Sequence, residues 1–292
     1  MKKMRLLPIG CLLFLCTFSF FLPPSTSEEI TSQTLYVGGE GPGNYTRIQD
    51  ALDNVTTGGS VYVFPGIYQE NLRVTRQVHL LGGETNSTII DGKNETFVVS
   101  LEAGNSTLSG FTITRSKQKF PFAGVYIISN YNTISNNILT NNFYGMQLGY
   151  SSQYNQIINN TIHHNGRCGI YFNHASYNTL LGNTVYDQPV NGFGLYEFSN
   201  NNHVLRNTFF DNRDTGVNIR ESYDNLIANN TFLQGHVAFH KPSPEYHTIA
   251  QDNLFTGNVV SLEEERDAFV VTVLVFDVAV FIVFLVFRKF LR

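Results

Sequence analysis

Six asparagines recur through the second half of the chain at a nearly fixed interval. Asn137, Asn160, Asn183, Asn207, Asn230 and Asn253 are separated by 23, 23, 24, 23 and 23 residues. The first five share the frame Asn-x-apolar-x-x-Asn-x-apolar, as in Asn132-Thr-Ile134-Ser-Asn-Asn137-Ile-Leu139 and Asn178-Thr-Leu180-Leu-Gly-Asn183-Thr-Val185. A looser copy precedes them at Ser106-Thr-Leu108-Ser-Gly-Phe111-Thr-Ile113, and a glycine opening an alternating strand falls once per copy at Gly124, Gly145, Gly169, Gly194 and Gly216. A fixed period of this length marks a solenoid. Apolar residues spaced by two exclude helical repeats, and the Leu-x-x-Leu-x-Leu frame of leucine-rich repeats is absent. What remains is an all-β parallel β-helix. Each coil supplies two or three short strands turned at Asn and Gly, and each inward side chain stacks about 4.8 Å above its equivalent. Asparagine tolerates the left-handed turn conformation and can pass amide hydrogen bonds from coil to coil. Asn137, Asn160, Asn183, Asn207 and Asn230 are therefore read as a structural ladder.

The apolar spacing of Tyr45-Thr-Arg-Ile48-Gln-Asp-Ala51-Leu52-Asp-Asn-Val55 predicts a short amphipathic helix, about 45–55, ahead of the coils. A solenoid end needs such a cover. The regular repeats run from about 105 to 258.

Both chain ends point to the cell surface. Lys2, Lys3 and Arg5, the apolar run Leu6 to Leu22, and Ser25-Thr26-Ser27 read as a signal peptide over 1–27. An uncleaved anchor is the alternative, because the apolar run is close to the shortest spanning length. Residues 268–287 are Val, Phe, Leu, Ile, Ala and Thr with a single charge, Asp277, and are long enough to cross a bilayer. An acidic stalk, 259–267, precedes them and a basic tail, 288–292, follows. The basic flank favours the cytoplasm. That leaves 28–258 as an extracellular or periplasmic ectodomain on a single-pass membrane protein. Asp277 at mid-span is either a protonated acid tolerated in a very apolar helix or a hydrogen-bonding contact with a membrane partner.

A formal net charge of -4 gives no basic face for nucleic acid, and 42% apolar residues fill too large a core for a disordered chain. Cys11 and Cys16 fall in the signal, so Cys168 has no internal disulfide partner. It reads as a buried structural residue, with a reactive thiol as the alternative.

The opening of the coils resembles that of pectin-lyase-like proteins. The residues are Ile48-Gln-x-Ala51-Leu52, Gly59-x-Val61-x-Val63-x-Pro65-Gly66-x-Tyr68-x-Glu70, Leu81-Gly82-Gly83 and Thr88-Ile-Ile90-Asp91-Gly92. The repeats that follow resemble those of periplasmic NosD-type proteins and of bacterial and archaeal surface proteins. The likeness spans about residues 34–258 and implies a right-handed parallel β-helix. It does not imply one function, since this fold serves lyases, glycosidases, epimerases, adhesins and spacers. The motifs that define polygalacturonases, alginate epimerases and pectate lyases are not found. Cofactors and metals are not expected, because no Cys/His ligand spacing is present.

Two columns emerge once the coils are stacked. Asn141, His164, Asp187, Asp211 and Gln234 each fall nine residues past a leading Asn. Stacked coils would bring Asp187 and Asp211 to about one strand spacing, near the ~5 Å of paired carboxylates in retaining glycosidases, with Arg220 as the basic partner. A row of ordinary turn residues is the alternative. Tyr126, Gln147, Tyr171, Tyr196 and Asn218 follow each repeat glycine by two. Exposed tyrosines on a rigid sheet suit stacking against sugar rings, so Tyr126, Tyr171 and Tyr196, with His164, are candidate glycan contacts; the alternative is a plain strand surface. Asn-x-Ser/Thr sequons at Asn44, Asn54, Asn86, Asn94, Asn105, Asn159 and Asn229 are N-glycosylation candidates. The leading expectation is a non-catalytic, membrane-anchored protein binding a polysaccharide or cell-envelope glycan. A carbohydrate-active lyase, glycosidase or epimerase is the alternative, and an accessory subunit of a membrane complex is a third reading.

Overall fold

A computed structural model of the chain describes residues 33–233 continuously, together with residues 237–240, 248–251 and 253–256. The signal peptide 1–27, the stalk 259–267, the spanning segment 268–287 with Asp277, the tail 288–292 and Gln234 lie outside the described residues. Among the described residues no helix is long and apolar enough to cross a membrane.

The chain winds through three parallel sheets, one strand per sheet per coil. Sheet I holds ten strands, from Thr34–Val37 to Ile249–Gln251; sheet II nine, from Gly66–Tyr68 to Leu254–Thr256; sheet III eight, from Leu72–Val74 to Val237–His240. In sheets I and II most of these strands are three residues long with only the middle side chain inward. The core is thus four vertical files, one each from sheets I and II and two from sheet III, the second of these running through Leu101, Ile127, Leu148, Phe172, Leu195 and Ile219. Leu108, Ile134, Ile157, Leu180, Val204 and Ile227 line sheet I. Ile113, Leu139, Ile162, Val185, Phe209 and Phe232 line sheet II. Val99, Val125, Met146, Ile170, Phe193 and Val217 line sheet III. All are withdrawn from water.

Buried amides staple each turn. From Asn137 to Asn230, the backbone N–H and side-chain Nδ2 of each asparagine donate to Oδ1 of the next. Asn132, Asn155, Asn178, Asn202 and Asn225 form a second such ladder at the other end of sheet I. A third, through Asn142, Asn165 and Gln188, stands between sheets II and III. The exposed residues beside them, among them Asn136, Asn159 and Asn229, take positive φ.

Helix α1, Ile48–Asn54, covers the first coil with Ile48, Ala51 and Leu52. No side chain of its own caps it. The Glu70 carboxylate does so from the first coil, accepting the Ile48 N–H at 2.8 Å and the Gln49 N–H at 3.1 Å, where the helix dipole favours negative charge.

Candidate functional site

Sheet III carries the richest outer face. Val125 and Ile127 point into the core, so Tyr126 between them points out. Register places Tyr126, Gln147, Tyr171, Gly194 and Asn218 in one outward file. The expected column therefore needs one correction: the residue aligned with Tyr171 is Gly194, and Tyr196 pairs instead with Asn173 and Arg220. The Tyr196 ring nevertheless leans back over Gly194, occupying the place a side chain there would take. It stacks on Tyr171 with centroids 5.2 Å apart, and Tyr171 stacks on Tyr144 at 4.7 Å. Toward the N-terminal end, Tyr126 stacks on Phe97 at 4.2 Å. Burial pushes the phenols of Tyr126, Tyr144, Tyr171 and Tyr196 above their ordinary range, so they stay neutral.

Between the two aromatic groups Gln147 is only 6% exposed, and its Oε1 has no hydrogen-bond partner. Asn191 Oδ1 and Asn218 Oδ1, on the same sheet, are likewise buried and unpartnered. Buried polar atoms are normally satisfied, so these oxygens are acceptors awaiting donors. A depression of about 300 Å³ lies at the N-terminal end of the same face, lined by Asn71, Leu72, Arg73, Thr96, Phe97, Ser100, Glu102, Tyr126 and Ile128. Arg73 grips Glu102 through Nε and Nη2, both at 2.8 Å, and this bond holds the Glu102 carboxyl below its ordinary range.

The corner between sheets II and III tells a different story. Asn141, His164, Asp187 and Asp211 all adopt positive φ near 52–56° there, as turn residues do. Pairing of Tyr186 with Phe210 puts Asp187 and Asp211 on adjacent coils. Arg220 does not join them. It ends the strand Thr215–Arg220 that Asp211 precedes, a run of roughly 17–20 Å. His164 also stands apart from the tyrosine file: its Nε2 meets Asp187 Oδ2 at 3.4 Å and its Nδ1 meets His163 Nδ1 at 2.7 Å. His163 stacks on Tyr186, and Tyr186 on Phe210. Two facing imidazole nitrogens need one donor and one acceptor. Burial, then the neighbouring His164, lowers the His163 pKa.

A further aromatic row, which the sequence reading passed over, borders sheet III on its other side. Tyr131, Tyr154 and Tyr177 stack at 5.1 and 5.3 Å, half-exposed, each at positive φ. Each directly precedes a leading Asn at 132, 155 or 178, which was the available signal. Tyr150, His174 and Phe198 form a second row beside it.

Cys168 is buried and its thiol pushed up in pKa by that burial, as suits packing rather than reactivity. Asn54, Asn86, Asn94, Asn105, Asn159 and Asn229 are exposed, whereas Asn44 is half-buried with Nδ2 donating to the Gly38 carbonyl at 2.6 Å. Among the described residues no group of three His, Cys, Asp or Glu side chains comes together to hold a metal ion.

Comparison with known proteins agrees on the architecture. No curated protein matches the chain. Its fold is similar to the crystal structure of pectate lyase Pel9A, with TM-score 0.57, 15% identity, and 82% of this chain and 80% of that one covered. It is also similar to a rhamnogalacturonan lyase, at TM-score 0.58 and 15% identity over 77% and 73% of the two chains. An alginate lyase from a Paenibacillus species aligns at TM-score 0.52 and 12% identity over 73% and 92%. At such identities these likenesses speak for the fold alone. Residues 97–258, more than half of the chain, match the family model described as the right-handed β-helix region; the chain belongs to that family and is a pectin-lyase-like right-handed parallel β-helix.

Proposed function

We propose that the outer face of sheet III binds a polysaccharide without cleaving it, on a chain that residues 268–287 anchor to the outer side of a membrane. One observation carries this: an aromatic file, Tyr126 and the Tyr144–Tyr171–Tyr196 stack, flanks a buried Gln147 oxygen that lacks a donor. Rings offer stacking surface to sugar C–H faces, and amide oxygens accept from hydroxyls. The similar folds, a pectate lyase and a rhamnogalacturonan lyase by name, make a glycan a chemically consistent ligand. A panel of polysaccharides scored for binding and turnover tests the reading, with Tyr126→Ala and Tyr171→Ala together. Binding without turnover, lost in the double variant, is expected. Binding that survives both truncations removes the face from consideration.

Cleavage is the second reading, and the His164–Asp187 contact is what favours it. In that case Asp187→Asn with Asp211→Asn abolishes turnover. The anchor is tested by carbonate extraction of membranes, and a partner held through Asp277 by the size of detergent-extracted complexes of Asp277→Leu.

A further inference from the structure

The depression at the N-terminal end of the sheet III face is electrically closed. Its one guanidinium, Arg73, and its one carboxylate, Glu102, satisfy each other through two bonds of 2.8 Å. The rest of its wall is apolar or neutral: Phe97 stacked on Tyr126, Ile128 and Ser100. One coil along the file from Tyr126 stands Gln147, 6% exposed, with an oxygen that no donor among the described residues reaches. Asn191 and Asn218 repeat that condition further along the sheet. Every unpartnered buried side-chain atom named on this face is thus an acceptor.

Resting on the reading of this face as a glycan site, we infer that it selects neutral, hydroxyl-rich sugars and rejects uronates. An ionised carboxylate accepts but does not donate, so one placed against the Gln147 oxygen would set two acceptors together, where the C6 hydroxyl of a neutral sugar would donate. It would also compete with Glu102 for Arg73 and sit close to that carboxylate, a like-charge juxtaposition that acts against the wrong ligand. Sugar hydroxyls do the opposite. They donate to Gln147, and they bridge Arg73 and Glu102 without parting them.

The test uses purified full-length chain and galacturonan, alginate and glucuronan, each beside its own carboxyl-reduced form, so that members of a pair differ only at C6. Binding to the reduced member about tenfold tighter is expected. Glu102→Gln keeps the shape, releases Arg73, and narrows that ratio severalfold by a gain on the carboxylate member. Preference of the native chain for a uronate, or a ratio unmoved by Glu102→Gln, overturns the inference while leaving the face a glycan site. Failure of every pair to bind overturns the underlying reading instead. Arg73→Gln is the cross-check: it abolishes the gain seen in Glu102→Gln when the two are combined.

Discussion

Asn183→Ala is the substitution that weighs the amide ladder most directly. Asn183 is 1% exposed. Its Oδ1 accepts the Asn160 N–H at 2.9 Å and Asn160 Nδ2 at 3.0 Å, and its Nδ2 donates to the Ile157 carbonyl at 2.8 Å and to Asn207 Oδ1 at 2.9 Å. Truncation removes all four. Asn160 Nδ2 keeps the Ile134 carbonyl and Asn207 Oδ1 keeps the Asn183 N–H, so each of those losses costs about 1 kcal/mol. The Asn160 N–H loses its acceptor in a dry turn, at about 1–3 kcal/mol. With about 1 kcal/mol more for the Ile157 carbonyl, which loses the Asn183 Nδ2 donor, the sum is about 5 kcal/mol, a large part of the 5–15 kcal/mol that holds a typical domain. Guanidinium unfolding followed by far-UV circular dichroism reads the total, and hydrogen exchange at the Asn160 amide reads its local origin. Asn159→Gly is the control, because glycine accepts the φ of 53° there at no steric cost. A loss below about 1 kcal/mol for Asn183→Ala, or equal losses for the two variants, would refute the assignment of stability to the ladder.

Glu70→Ala strips the carboxylate cap from the N-terminus of helix α1 and lowers stability by about 1–2 kcal/mol, read as a shift in thermal midpoint that Glu70→Gln partly restores. Acidification weakens the corner of His163: its folded pKa lies below the unfolded value, so the neutral ring is favoured, and stability is retained above about pH 6.5 and lost as pH falls below it. His163→Gln should flatten the stability profile between about pH 7 and 5; an unchanged slope places the linkage elsewhere. Gly194→Ala puts a Cβ into the Tyr196 ring and removes its stack on Tyr171, at about 1 kcal/mol. The change is visible in near-ultraviolet tyrosine circular dichroism.

The solenoid was legible in the sequence because its period, its inward residues and its turn asparagines all repeat chemically. Where repetition of chemistry stops, legibility stops too. The third ladder went unread because Gln188 replaces asparagine in it, although its amide bonds Asn165 N–H and the Ile162 carbonyl in the same manner. Tyr196 was misplaced for a related reason. Gly192 and Gly194 stand two apart, and a slip of two keeps every side chain on its own face, so alternation does not reveal which glycine opens the strand. The 24-residue step adds to this, its extra residue being absorbed at Glu197 and Phe198, both at positive φ. Arg220 failed as a partner for Asp187 and Asp211 because nearness in sequence along an extended strand is distance in space.

The same side-chain chemistry meets two fates in this molecule, and the contrast separates fold from function. At the turns an amide oxygen accepts a backbone N–H, and within the two asparagine ladders often a side-chain N–H as well, and its nitrogen bonds in turn; Asn212 Oδ1 and Asn225 Nδ2, beside the last described coils, are the exceptions. On sheet III, Gln147 and Asn218 stand one coil from a tyrosine or a tyrosine-covered glycine, hidden from water, with oxygens that no donor among the described residues reaches. Folding alone gives no reason to leave them so, since an apolar strand residue at either place would avoid the cost of about 1–3 kcal/mol that each buried orphan imposes. A ligand that brings hydroxyl donors to that face recovers this cost on binding. Gln147→Leu should therefore raise the stability of the free chain and weaken its hold on the polysaccharide together. A variant that gains stability with binding unchanged would mean that the oxygen never met a donor.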